Sequence, residues 1–282
     1  MPIDIKGEGS SFYSGTSSRL RKHDVLLFLT GLPLWMGILL VVILPTIVAM
    51  CGVILLRSWI GHERLSTNNE IAGFKFATVG VIYSVLAVFS VVVVWQKFSD
   101  AQVAVEREAG AAAALYRLAA GSEPGMVATR EALGKYLRLA IEKDWPRMAV
   151  EKESNEATQA LDALYTAVVR VAESGSSQRA ILIEMFTQLD AITEARRTRL
   201  HLATGIVPRV LWLVLACSAV LTVCFTFFFG TRNLRAQVLM TGMLSLMVFM
   251  ALFIVVSIDH PFTGPSYVGS EALHAVLEDF PH

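Results

Sequence analysis

IYSVLAVFSVVVVWQKFSDAQVAVEREA, residues 82–109, changes solvent without a residue that would break a helix. From Ile82 to Trp95 it carries no charge; from Lys97 onward charged residues appear every few positions, and neither glycine nor proline intervenes. The pattern predicts one long helix that begins in lipid and ends in water. Followed backwards, the charge-free run reaches Phe76. Residues 76–95 therefore supply the roughly 20 residues that a helix needs to cross about 30 Å of hydrocarbon.

The rest of the 282-residue chain fits this reading. Hydrophobic residues make up 54% and charged residues 17%, against the roughly 45–50% and 25% of soluble domains, which argues for a membrane protein in a lipid bilayer. The 24 basic and 24 acidic residues cancel, so no general attraction to nucleic acid follows. Cys51, Cys217 and Cys224 all stand in apolar runs and imply neither a disulfide framework nor a metal cluster.

Residues 1–24 read as a flexible tail, and residues 25–96 as the first two spans. Val25 to Leu32 is expected to lie at the interface and Leu34 to Leu56 to cross, kinked at Pro45. Residues 210–258 hold two more crossings, about Val210–Phe229 and Ala236–Ile258, and residues 259–282 read as a C-terminal tail. Four spans put both termini on one side. Arg19, Arg21, Lys22, Lys97, Arg107, Arg196, Arg197, Arg199 and Arg209 fall on that side, against Arg57, Arg64, Lys75, Arg232 and Arg235 on the other. The imbalance favours termini in the cytoplasm of a bacterial inner-membrane protein.

Residues 97–209 form a polar insert of helical periodicity between the second and third spans. Leu161, Leu164, Tyr165, Val168 and Val171 mark one apolar face, and Ile181, Met185, Leu189 and Ile192 another. Breaks at Gly121–Pro124, at Asp144-Trp145-Pro146 and at Glu173–Ser177 divide it into about four helices. The fold class is thus all-α: four transmembrane helices with a helical cytoplasmic domain between spans two and three.

Catalytic signatures are missing. No glycine loop follows a strand, no nucleophile elbow occurs, and His62-Glu63 lacks the second histidine of a zinc-protease helix, so neither an enzyme, nor a cofactor, nor a metal site is expected. Glu106, Arg107 and Glu108 read as a solvated helix face, and Asp144-Trp145-Pro146 as a structural corner. Asp259, His260 and Pro261 close the fourth span where its polar pair meets water; a pH-sensitive contact of Asp259 or His260 with the soluble helices is the sharper alternative. On a helical wheel, Val79, Ile82, Leu86, Ser90, Val93, Lys97 and Asp100 share a stripe about 80° wide. In a ring of subunits this stripe would line a narrow apolar pore that opens at Lys97.

Residues 82–109, the DWP at 144–146, FFFGTRNLRAQVLM at 227–240 and DHPF at 259–262 together resemble the bestrophin-like membrane proteins of bacteria, a family of unknown function with a remote similarity to true bestrophins. The resemblance implies a pentameric homo-oligomer with four spans, both termini inside, and an ion channel for small inorganic ions, anions favoured, whose pore is lined by the second span. If Trp95 stands where true bestrophins have a tryptophan after that span, it implies Ile82 and Leu86 as the hydrophobic neck, with Thr78 at a third such position. Ser90 and Val93 would line the pore below and Lys97 would charge its mouth. The neck residues are then aliphatic rather than phenylalanine, and no acidic calcium clasp is evident, so calcium gating is not implied. The competing expectation is a non-conducting sensor or scaffold acting through the helical domain. A transporter of inverted repeats is disfavoured, because the halves share no broken helices and no charge is buried in mid-span.

Overall fold

The computed structural model describes residues 33–60, 69–174, 179–204, 209–264 and 266–280, and among them every regular element is helical. The N-terminal tail and the proposed interfacial stretch, Val25 to Leu32, lie outside the described residues, as do Arg64 and the handover at 205–208.

Helix α1 is built from Leu34–Ile38 and Leu44–Ile60, joined by a π-turn at Leu39–Ile43. The expected kink at Pro45 takes this form. A proline ring collides with the carbonyl four residues back and offers no N–H, and widening the preceding turn relieves both problems. Helix α2, Asn69–Leu118, is one unbroken helix of 50 residues, about 75 Å at 1.5 Å per residue. Helix α3, Pro124–Leu139, passes through a second π-turn, Ala140–Asp144, into a short turn at Trp145–Met148. Helices α4 (Asn155–Ser174) and α5 (Arg179–Leu202) complete the soluble domain. Helices α6 (Arg209–Thr226) and α7 (Leu234–Ile258) return through the apolar layer, and α8 (Glu271–Glu278) follows.

Three helical stretches are long and apolar enough to cross a membrane: Leu34–Trp59, Asn69–Leu118 and Leu234–Ile258. The apolar stretch Val210–Thr226 is shorter, because α6 gives way to turns where the chain was expected to continue to Phe229. Two cores result. In the apolar layer, Val42 and Ala49 of α1, Tyr83 and Ala87 of α2, Ala219 and Val223 of α6, and Val248 and Phe249 of α7 meet. The Tyr83 hydroxyl donates to the Val248 carbonyl at 2.7 Å, satisfying a polar group where lipid could not. Gly52 of α1 permits close approach: a Cβ there would stand 2.9 Å from the Phe227 ring.

In the soluble layer, Leu115, Leu133, Leu137, Leu164, Leu189 and Ile192 form the centre of a larger core. Two expectations change here. The DWP segment does not interrupt the chain of helix: α3 runs on through it and ends in a turn at 149–151. The residues after Ile258 fold back on the domain, with Val268 packed beside Ala101, Met148 and Leu202, and Leu273 of α8 entering the main core.

Side chains pin the loop between α6 and α7. Asn69 donates from Nδ2 to the Gly230 carbonyl at 2.6 Å and accepts from Gly230 N–H at 2.9 Å. Arg57 at the end of α1 donates to the carbonyls of Thr231 and Arg232 at 3.0 and 3.2 Å. Asn233 then caps α7, its side chain accepting from the backbone N–H of Arg235 and Ala236.

The candidate pore helix and the junction beneath it

Helix α2 has one covered edge and one bare edge. Tyr83, Ala87, Ser90 and Val94 are buried against α6 and α7. Roughly 180° round the helix, Phe74, Val81, Val85 and Val92 remain exposed, flanked by Phe89, 67% exposed.

The stripe drawn from sequence straddles the border between these edges. Ile82 is 55% exposed and Val93 is exposed too. Leu86 is half-buried against the cluster of Val94, Leu215 and Val255. Ser90 is only 2% exposed, and its hydroxyl donates to the Leu86 carbonyl of its own helix at 2.8 Å. Ser90 therefore faces the interior of its own subunit. Lys97, two turns below, is half-buried and makes no ion pair among the described residues; Asp100 is exposed.

Lower on the same helix stands a site that charge alone conceals. Glu108, read as a solvated position, is completely buried, because residues 101, 104, 105, 108, 112 and 115 share the edge that packs inside the domain. Its carboxylate accepts from Arg199 Nε at 2.7 Å and Nη2 at 3.0 Å, and from the Tyr136 hydroxyl at 2.5 Å. Arg199, itself fully buried, also reaches Asp144 at 3.4 Å and lies over the Trp145 ring with its guanidinium carbon 4.4 Å from the centroid. Asp144 accepts from Arg196 Nε at 2.8 Å and from the Ser154 N–H at 3.0 Å, and Arg196 reaches the Thr158 hydroxyl at 3.1 Å.

Two cations and two carboxylates thus tie all four helices of the domain together with no net charge. Burial disfavours the charge on Arg199, but the adjacent Glu108 carboxylate outweighs it and the guanidinium is held above its ordinary value. Burial first, and the Glu108 charge second, push the Tyr136 phenol well above its usual range. Arg196 and Arg199 were counted among the basic residues that orient the protein. Both are paired with carboxylates inside the domain.

The junction with the last span is the third feature. Asp259 and His260 do not meet water as expected of a span end; both are buried, His260 being 3% exposed. The segment that follows covers them. Trp145 Nε1 donates to the Val268 carbonyl at 3.2 Å, Trp145 meets Phe262 edge-on at 6.2 Å, and Val268 N–H bonds the Pro261 carbonyl at 2.7 Å. His260 Nε2 lies 3.3 Å from Glu151 Oε1 of the soluble domain, and Nδ1 lies 3.4 Å from Asp259 Oδ2 without hydrogen-bond geometry. Among the described residues no group of three or more His, Cys, Asp or Glu side chains is placed to hold a metal ion.

A family model described as the bestrophin-like domain matches residues 43–273, most of the chain. The chain belongs to the bestrophin-like family. Solved structures agree in fold. A variant of a bacterial bestrophin homologue from Klebsiella pneumoniae aligns with a TM-score of 0.68 at 15% identity, covering 84% of this chain and 96% of that one. A second structure of the Klebsiella homologue aligns at 0.64 and 16% identity, covering 85% and 99%. Comparison with curated proteins found no match. As a bestrophin-like membrane protein the chain gains a shared architecture, while its site residues stand on the geometry above.

Proposed function

We propose that this bestrophin-like protein is an ion channel formed by several copies of the chain, five in the proposed ring, rather than an enzyme. In this reading α6 makes a fourth crossing of the inner membrane, and the termini and the helical domain lie in the cytoplasm. The observation that carries the reading is the bare apolar edge of α2, continuous with a helix that emerges into the soluble domain. Lipid could cover such an edge. A ring of sister helices covers it and encloses a dry constriction as well.

The split of the wheel stripe moves the proposed neck. Ile82, Val85 and Phe89, with Val93 below, form the exposed edge nearest to the expected one, and Leu86 and Ser90 become its backing. Lys97 remains the mouth residue and supplies the lean toward small inorganic anions, partly offset by Asp100.

Reconstituted bilayers test both parts. Truncating Phe89 to Ala should raise conductance several-fold while Leu86→Ala changes it little, since only a side chain in the lumen sets the dewetting barrier. The reverse ranking would return the neck to the original stripe. Lys97→Glu should move the reversal potential toward cations. A purified, ring-shaped assembly that passes no ion under any condition would sink the channel reading and favour a scaffold.

A further inference from the structure

The turn that meets His260 has an unusual backbone. Glu151 N–H bonds the Met148 carbonyl at 3.0 Å and Lys152 N–H bonds the Arg147 carbonyl at 2.9 Å, a Schellman closure of the helical turn before it. The residue in the left-handed position of that motif is usually glycine. Here it is Glu151, with φ of 58°, the one non-glycine positive φ among the described residues. A carboxylate stands where the backbone favours no side chain, and strain of this kind points toward function.

What the side chain reaches is a buried imidazole. His260 Nε2 is 3.3 Å from Glu151 on one side, and Nδ1 faces Asp259 at 3.4 Å on the other, with no hydrogen-bond partner among the described residues. The two carboxylates interact with other groups too. Arg147, Lys152 and Glu153 are the other charged groups of the turn, and share with Glu151 a cleft closed by Leu200 of α5. Ala101 and Val105 of α2 and Leu202 and Ala203, beside the strap formed by the segment from Asp259 to Val268, are uncharged.

We propose that Glu151, His260 and Asp259 form a proton-operated latch between the end of the last span and the soluble domain. A protonated imidazole places a cation between two carboxylates and holds the turn to the strap; a neutral imidazole leaves two carboxylates facing an uncharged ring and loosens it. The contact is tighter with the imidazole protonated than with it neutral. Trp145 and Phe262 carry the change to the buried ion pairs, since Trp145 lies under Arg199. The latch does not depend on conduction.

Hydrogen exchange of the full chain in lipid nanodiscs, corrected for the intrinsic pH dependence of exchange, tests it without recording current. Protection of residues 148–153 and 259–268 should be about tenfold greater near pH 6 than near pH 8, the size expected when one charged hydrogen bond is gained. His260→Gln should flatten that difference. Glu151→Gly should flatten it as well while preserving or raising thermal stability, because glycine suits the backbone at that position. The latch is overturned if the wild type shows no pH-dependent difference, or if Glu151→Gly keeps the wild-type profile; the second variant decides the matter should His260→Gln fail to fold.

Discussion

One helix passes through two kinds of interior. Around residues 101–115, α2 is covered along one broad edge by its own subunit: Ala101, Ala104, Val105, Ala112 and Leu115 are buried and Glu108 sits among them with its charge matched. Around residues 74–95 only a narrow edge through Tyr83, Ala87 and Val94 is covered, and valines and phenylalanines stand bare on the other side. The lower half has a core of its own within a single chain. The upper half is a surface whose environment is supplied from outside, by lipid or by sister copies.

The sharpest way to break this contrast is to remove the cation from the lower half. Arg199→Met leaves Glu108 and Asp144 buried with one partner fewer each, and should cost about 3–5 kcal/mol, as loss of one member of a buried ion pair does. Loss of monodisperse protein, or a large drop in melting temperature measured by intrinsic fluorescence, would register it. A variant that melts with the wild type would mean that water reaches the network and that the lower half is not dry.

Leu133→Ala asks the same of apolar packing. The side chain is fully buried in the main core, so deletion should cost about 2–5 kcal/mol in an urea or thermal titration. Tyr136→Phe is smaller. It removes one hydroxyl from Glu108, which keeps its two bonds to Arg199, and should cost about 1–2 kcal/mol. Its alkaline behaviour carries a sign. The phenol is raised in the folded protein, so its contribution is complete below the unfolded value near 10 and is lost as pH climbs from there toward the folded value. The wild type should therefore lose stability above about pH 10 more steeply than Tyr136→Phe does.

The sequence discloses the two halves unequally. Apolar periodicity marks Leu161, Leu164, Tyr165, Val168 and Val171, and Ile181, Met185, Leu189 and Ile192; all are buried except Tyr165, which is exposed, and Ile181, which is half-buried. The same periodicity continues from Ile192 to Arg196 and Arg199, and from Val105 to Glu108, at steps of three and four. Extended by those steps, it points the three charges inward, an extension that the sequence reading does not make. Their charge was read as solvation, and their partners, 52 to 91 residues apart in sequence, leave no local mark. In the upper half the difficulty is the reverse. Valine, leucine and phenylalanine occupy every direction of α2 between Phe76 and Trp95, so a wheel has no polar face to orient it. Burial of Ser90 supplies the missing angle. His260 and Glu151 were separated by a further obstacle, since a left-handed glutamate has no signature in sequence.

The smallest expected change in stability belongs to the bare edge, and there the two halves are told apart most cleanly. Within one subunit Phe89 is largely exposed, so Phe89→Ala should alter the unfolding of a dissociated chain by no more than about 0.5 kcal/mol, the ordinary range for an uncovered position. In the assembled protein the outcome depends on what lies opposite. Phenylalanine packed between sister copies would lose about 3–5 kcal/mol on truncation, as core aromatics do, and the assembly would weaken in detergent. Phenylalanine facing a lumen would lose little, because no neighbour is deprived of contact, while the constriction it forms would widen. Measuring subunit dissociation and conductance on the same Phe89→Ala preparation therefore separates a neck from an interface. A stable ring with raised current assigns the edge to the axis, and a dissociating ring assigns it to the seam between subunits.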